Sequence, residues 1–118
     1  MPHRILVIEE KTDHRATLAV LLRSVGHTVK HASSLTYALT LADAFRPTVV
    51  LVDIALPFIE DHSTLTTLRA AFKEAPLFAM MAAEDEHKKV SWAPEFDARL
   101  VKPVNFIDIE RLLGNRAR

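Results

Sequence analysis

Val49-Val-Leu-Val-Asp-Ile-Ala-Leu-Pro57 runs four aliphatic residues into a single carboxylate, with proline four positions further on. Such an aliphatic run reads as a strand buried on both faces of a parallel sheet. An ionised Asp at its end is costly unless it reaches a solvent-facing edge where partners wait. Asp53 is therefore either a turn residue or a chemical one, and the rest of the chain has to decide.

Working outward, short apolar runs alternate with segments of helical period. Ile5-Leu-Val-Ile8 is a second buried-strand run. From Asp13 to Val25, the residues Ala16, Leu18, Ala19, Leu21, Leu22 and Val25 fall at helical spacing, with Thr12 or Asp13 as candidate cap and Gly26 as a stop. Thr28 to Ala32 is a half-polar strand. Ser34 opens a helix carrying Leu35, Ala38, Leu39, Ala42 and Phe45, and Arg46-Pro47 closes it. Beyond a loop to about Asp61, residues Leu65, Leu68, Ala71 and Phe72 repeat as a helix, and Leu77 to Met81 follows as a strand. The polar stretch Glu84 to Trp92 is expected to be a short helix. Arg99 to Val101 reads as the fifth strand, and Ile107, Ile109, Leu112 and Leu113 as the last helix. Five such alternations predict an α/β fold: a doubly wound, five-stranded parallel sheet with helices on both faces.

The 118 residues suit one domain, taken as 1–118. Hydrophobic residues at 49% and charged ones at 25% are ordinary globular values. Fifteen basic residues balance fifteen acidic ones, so bulk electrostatics give no support for direct nucleic-acid or membrane-surface binding. There is no cysteine, hence neither disulfides nor thiolate metal sites, and only two glycines, too few for Gly-rich phosphate loops. The aliphatic run after Met1-Pro-His-Arg is too short for a signal-peptide core or a membrane span, so a cytoplasmic location is expected.

Ligands of an open α/β sheet bind beyond the carboxyl ends of its strands, where strand order reverses. With order 2-1-3-4-5, the ends of the first and third strands are neighbours there. Glu9, Glu10 and Asp53 are then expected to share one crevice, with Lys102 from the fifth strand at its rim. Crowded carboxylates need a cation, and all-oxygen ligands select a hard one such as Mg²⁺. Carboxylate, Mg²⁺ and lysine are together what holding and transferring a phosphoryl group requires.

At these residues the chain resembles a family. Ile5-Leu-Val-Ile-Glu-Glu10, Val50-Leu-Val-Asp-Ile-Ala-Leu-Pro57 and Leu100-Val-Lys-Pro103 resemble, in order and spacing, the signature segments of the two-component response-regulator receiver domain, a flavodoxin-like (CheY-like) fold. Phe96-Asp-Ala-Arg-Leu-Val-Lys-Pro-Val104 also resembles receivers attached to hybrid histidine kinases. The resemblance implies a signalling domain rather than an enzyme, although such domains carry out their own phosphotransfer and autodephosphorylation. It implies that Asp53 is the phosphoacceptor and that Lys102 pairs with the phosphoryl oxygens. Glu10 would bind Mg²⁺ directly, Glu9 nearby through water, and the Ala55 carbonyl would complete the protein ligands. The implied partners are a histidine kinase or histidine phosphotransfer protein, a downstream protein, and a second copy through the fourth-helix, fifth-strand and fifth-helix face. The Lys102–Pro103 peptide would be cis.

Four positions depart from the family. The acidic pair is Glu-Glu, where at least one Asp is usual. Met81 stands where a Ser or Thr hydroxyl meets the phosphoryl group, and Ala82 and Ala83 offer no replacement. Arg99 takes the place of an aromatic switch residue, and Phe58-Ile-Glu-Asp61 that of a Gly-containing loop. Met81 and Arg99 favour a rival reading, a pseudo-receiver acting as an interaction module without phosphate control. A third reading, an aspartate-nucleophile phosphatase, wants a second Asp where Ala55 stands. The His residues, His27 and His31 among them, read as surface residues.

Overall fold

Alternation along the central strands decides which helix covers which face. The structure, a computed structural model, describes residues 2–116. Five parallel strands, β1 (Arg4–Ile8), β2 (Thr28–Ala32), β3 (Val49–Asp53), β4 (Leu77–Met81) and β5 (Ala98–Val101), lie in the order β2-β1-β3-β4-β5. Every residue of β3 and β4 is buried, as their unbroken apolar runs require. Successive side chains on a strand point to opposite faces. Ile5, Val7, Val49, Leu51, Phe78, Met80 and Leu100 thus form one core, packed against α1 (Thr12–Ser24) and α4 (Phe106–Arg116). Leu6, Ile8, Val50, Val52, Leu77, Ala79 and Met81 form the other, beneath α2 (Leu35–Phe45) and α3 (His62–Ala71). At about 1.5–3 kcal/mol for each fully buried aliphatic side chain, these two layers dominate the stability.

Local signals set the helix ends. Gly26 stops α1 at φ 100°. The Ser34 Oγ accepts from the Tyr37 N–H at 3.2 Å and caps α2. The start of α1 differs from expectation: its cap position is Lys11, with no side-chain cap bond, and Thr12 and Asp13 are already helical.

The expected helix from Glu84 to Trp92 is not formed. Its place is taken by two 3₁₀ turns, Ala83–Asp85 and Lys89–Trp92, separated at Lys88 by an extended backbone (ψ 140°). Only Val90 and Ser91 of these turns are buried, so the stretch lacks the apolar stripe that would hold a helix to the sheet. The face expected from a fourth helix, fifth strand and fifth helix therefore consists of 3₁₀ turns, β5 and α4. Among the described residues, no helix is long and apolar enough to cross a membrane.

Candidate functional site

The period-two rule that builds the cores also sorts the charged strand ends. Continuing β1 from Ile5 and Val7, β3 from Val49 and Leu51, and β5 from Leu100 brings Glu9, Asp53 and Lys102 to the α1/α4 face. The Lys102 Nζ donates to Glu9 Oε1 at 2.6 Å and to Asp53 Oδ2 at 2.7 Å, joining three strand ends. The Ala55 N–H donates to Asp53 Oδ1 at 2.8 Å. Glu9 and Asp53 are each only 3% exposed. His14 stands at the outer side, with Nδ1 3.5 Å from Glu9 Oε1. The Lys102–Pro103 peptide is cis.

Burial and neighbours drive the two carboxyls apart. Burial raises Glu9 above the ordinary Glu value, and its hydrogen bond with Asp53 raises it further against the opposing pull of Lys102. Burial also pushes Asp53 upward, but hydrogen bonds from Glu9, Lys102 and the Ala55 N–H outweigh it and hold Asp53 below the ordinary range. Burial disfavours the Lys102 ammonium, yet hydrogen bonds and charge attraction from Asp53 and Glu9 leave its pKa raised. The site is thus a firmly ionised Asp53 beside a fixed cation, with Glu9 the more proton-retentive carboxyl.

Glu10 does not join this cluster. One residue further along the chain, it falls to the opposite face and is exposed, lining a groove of about 700 Å³ with Leu35, Leu39, Leu56 and Phe58. Among the described residues, no three His, Cys, Asp or Glu side chains are disposed to hold a metal ion together. Met81 shares the parity of Ala79 and packs into the α2/α3 core at 1% exposure, away from Asp53's side of the sheet. Ala55 and Ala83 are small and exposed. Arg99 is exposed, its guanidinium 3.3 Å from the ring centroid of Trp92, whose Nε1–H donates to the Glu86 carbonyl at 2.8 Å. Phe58, at the glycine-like loop position, takes φ 65° and is 75% exposed.

Two contacts escaped the sequence. Arg15 Nη1 donates to the carbonyls of Glu9 (2.9 Å) and Glu10 (3.3 Å), and its Nε donates to His31 Nδ1 at 3.0 Å. Its place on the second turn of α1, six residues past Glu9, was the available signal. His27, expected at the surface, is buried; it accepts from the His3 N–H at 2.9 Å and its Nε2 lies 2.6 Å from Glu110 Oε1. A half-polar edge strand hid that burial, because the partner on α4 lies 83 positions away.

Known proteins share both sequence and fold. The transcriptional regulatory protein PrrA of Mycobacterium leprae is 32% identical over 101 residues, 85% of this chain and 43% of that protein. Protein Rrf1 of Nitratidesulfovibrio vulgaris is 42% identical over 57 residues, 48% of this chain and 41% of that protein. The chain thus spans less than half the length of either relative. The chemotaxis response regulator CheY4 of Vibrio cholerae superposes with a TM-score of 0.78 at 21% identity, over 98% of each chain. The receiver domain of a Pseudomonas aeruginosa sensor histidine kinase, solved with a magnesium ion coordinated in its active site cleft, gives 0.79 at 23% identity, over 98% of this chain and 97% of its own. At these identities the two structures establish the fold, five parallel strands in the order 2-1-3-4-5 of the CheY-like type. The response regulator receiver domain model matches residues 5–113, and this chain belongs to that family of two-component signalling domains.

Proposed function

We propose that Asp53 accepts a phosphoryl group from a phosphohistidine on a histidine kinase or histidine phosphotransfer protein, and that the modified domain signals through a protein partner. The observation that carries this reading is the Lys102 Nζ held 2.7 Å from Asp53 Oδ2 at the carboxyl edge of the sheet. An ionised Asp53 oxygen attacks phosphorus; the P–N bond to the donor imidazole breaks and its electron pair returns to that nitrogen. Lys102 then pairs with the phosphoryl oxygens, a fixed charge of the kind worth about 10²–10³ in rate.

The donor chemistry fits Mg²⁺. Two carboxylates, Glu9 and Asp53, face one ammonium, so the ionised cluster carries an excess negative charge, and every available ligand is a hard oxygen. We assign the metal to Asp53, the Ala55 carbonyl and, through water, Glu9; Glu10 would join them only by swinging around the strand end from the groove it lines. When bound, the ion supplies neutralisation of the oxygens on the transferring group. The Pseudomonas receiver solved with magnesium in its cleft supports the assignment by analogy.

Incubation with a small phosphodonor and Mg²⁺ should add the mass of one phosphoryl group, and Asp53→Asn should abolish the gain. No gain in the wild type would leave the pseudo-receiver reading that Met81 and Arg99 raise. Because Ala55 and Ala83 are small and exposed, we expect a short-lived phospho-Asp53 that Ala83→Tyr prolongs; equal lifetimes would refute this. Exposed Trp92 (59%), Val101 (38%) and Ile107 (54%) make the face of 3₁₀ turns, β5 and α4 the surface we assign to partner or self-association.

A further inference from the structure

We propose that the groove between α2 and α3 is a docking site for a short, basic amphipathic helix of a protein partner. This surface is separate from the face of 3₁₀ turns, β5 and α4, and the inference does not rest on phosphorylation of Asp53. Three observations carry it.

First, the groove of about 700 Å³ has an apolar floor that the fold leaves half-covered. Leu56 and Leu68 are buried in it, while Leu35 and Leu39 are only partly buried against the α2/α3 core. Leu35 and Leu39 stand four residues apart on α2, as Thr64 and Leu68 do on α3, so each helix lines the groove with one face.

Second, Phe58 stands at the lip, largely exposed and at φ 65°. An aromatic ring in water and a non-glycine residue in the left-handed region are each unfavourable in the isolated domain. The turn is closed by main-chain bonds, from the Asp61 N–H to the Phe58 carbonyl at 3.0 Å and from the Ile59 N–H to the Leu56 carbonyl at 3.3 Å, and asks for no aromatic side chain. Both costs at one position fit an anchor that is covered only when a partner binds.

Third, the rim is acidic and unpaired. The ionisable residues lining the groove are Glu10 and Asp61, and among the described residues neither has an ion-pair partner. Lys11 and His62 follow them in the chain and are exposed without lining the groove. Ser34 and Asp61, the cap positions of α2 and α3, place both helix N-termini here, each equivalent to about half a positive charge. Two carboxylates therefore leave roughly one net negative charge. Asp61 makes no side-chain cap bond, so its oxygens can accept from a partner.

An acidic rim around an apolar floor selects lysine or arginine beside leucine-like side chains, and repels nucleic acid and anionic membrane surfaces. The walls are helices and a turn rather than a sheet edge, so they offer no strand to extend. An occupant must then satisfy its own backbone, as a helix laid in a groove does.

Calorimetric titration with a synthetic leucine–lysine helix of about 14 residues, and with its leucine–glutamate counterpart, tests the charge complement. The lysine peptide should bind about tenfold more tightly, or better, than the glutamate peptide. NMR shifts on binding should fall on residues 35–39 and 56–68. Phe58→Gly should weaken the lysine peptide about tenfold, while its melting temperature matches or exceeds the wild type because glycine suits φ 65°. Asp61→Asn should weaken it about threefold at low salt, a loss that molar salt erases. Equal affinity for the two peptides, wild-type affinity in Phe58→Gly, or shifts confined to Trp92, Val101 and Ile107 would overturn the assignment. So would a concentration-dependent dimer of the wild type that Phe58→Gly dissolves, which would give the groove to a second copy.

Discussion

The two faces of the sheet end in opposite chemistry. On the α1/α4 side, Glu9, Asp53 and Lys102 meet as a buried, hydrogen-bonded triad. On the α2/α3 side, the corresponding strand-end residues are Glu10, solvated, and Met81, packed in the core. One residue of shift along a strand separates a charge that must be paired from one that water stabilises. Acceptor chemistry is concentrated on one face, while Met81, one residue out of register with Asp53, points into the apolar core on the other.

Lysine substitution breaks this contrast most strongly. Lys102→Ala leaves two buried carboxylates without their cation and should cost about 3 kcal/mol or more in urea unfolding. Glu10→Gln, on the other face, should stay within about 0.5 kcal/mol. Comparable losses would mean the two faces are electrostatically alike.

Met81→Thr tests the apolar face. Shortening a side chain that is 1% exposed should cost about 2 kcal/mol through the cavity it leaves. The new hydroxyl would also sit among hydrocarbon, unless phosphorylation draws it around the strand end. If Met81→Thr lowers stability by much less, the core there is looser than its burial indicates.

Acidity should distinguish the two carboxyls themselves. Asp53, held below its ordinary 3.8, contributes stability present above that value and lost as pH falls through its lower folded pKa. Glu9, raised above its ordinary 4.5, contributes stability present below that value and lost as pH rises through its higher folded pKa. Glu9→Gln should therefore flatten the decline in stability just above pH 4.5, while leaving the acid limb below pH 3.8. A decline unchanged in Glu9→Gln would assign it elsewhere.

The smallest effect concerns the response. A ligand shifts a conformational equilibrium only through differential contacts with the two states. With Met81 buried in the opposite core and Arg99 stacked outside on Trp92, beryllofluoride should perturb mainly residues 54–61 and 82–86 in NMR shift mapping. Large shifts at Trp92, Arg99 and α4 would show that a conventional switch operates through other residues. Arg99→Ala should cost only about 0.5–1 kcal/mol, the worth of an exposed cation–π contact.

Much of this was legible in the sequence. The unbroken runs Ile5–Ile8, Val49–Val52 and Leu77–Met81 declared a parallel sheet, and Asp53 and Lys102 declared themselves as charges placed at strand ends. What stayed hidden depended on direction or on distant partners. Adjacent glutamates look equivalent on the page, but the pleat sends them to opposite faces. His27 looked like a surface residue until α4 supplied Glu110. The stretch from Glu84 to Trp92 looked helical because its polar residues carry no signal against a helix, and only packing withheld the apolar contacts a helix needs. Arg15 bonds main-chain carbonyls, which every residue possesses, and only its spacing from Glu9 pointed to them.

The sheet order also leaves β2 and β5 with one side unpaired, an open template for strand-to-strand aggregation. Both edges carry a cation in mid-strand: Lys30 lies 6.0 Å from the Phe45 ring centroid, and Arg99 lies against Trp92. Long charged side chains repel a matching copy, and resting them on an aromatic ring keeps them extended across the edge at little entropic cost. β5 is further blunted by its length of four residues and by Pro103 just beyond it. Extension of the sheet by a second strand is thus disfavoured at both edges, and the surfaces left exposed for contacts are those of the helices and turns.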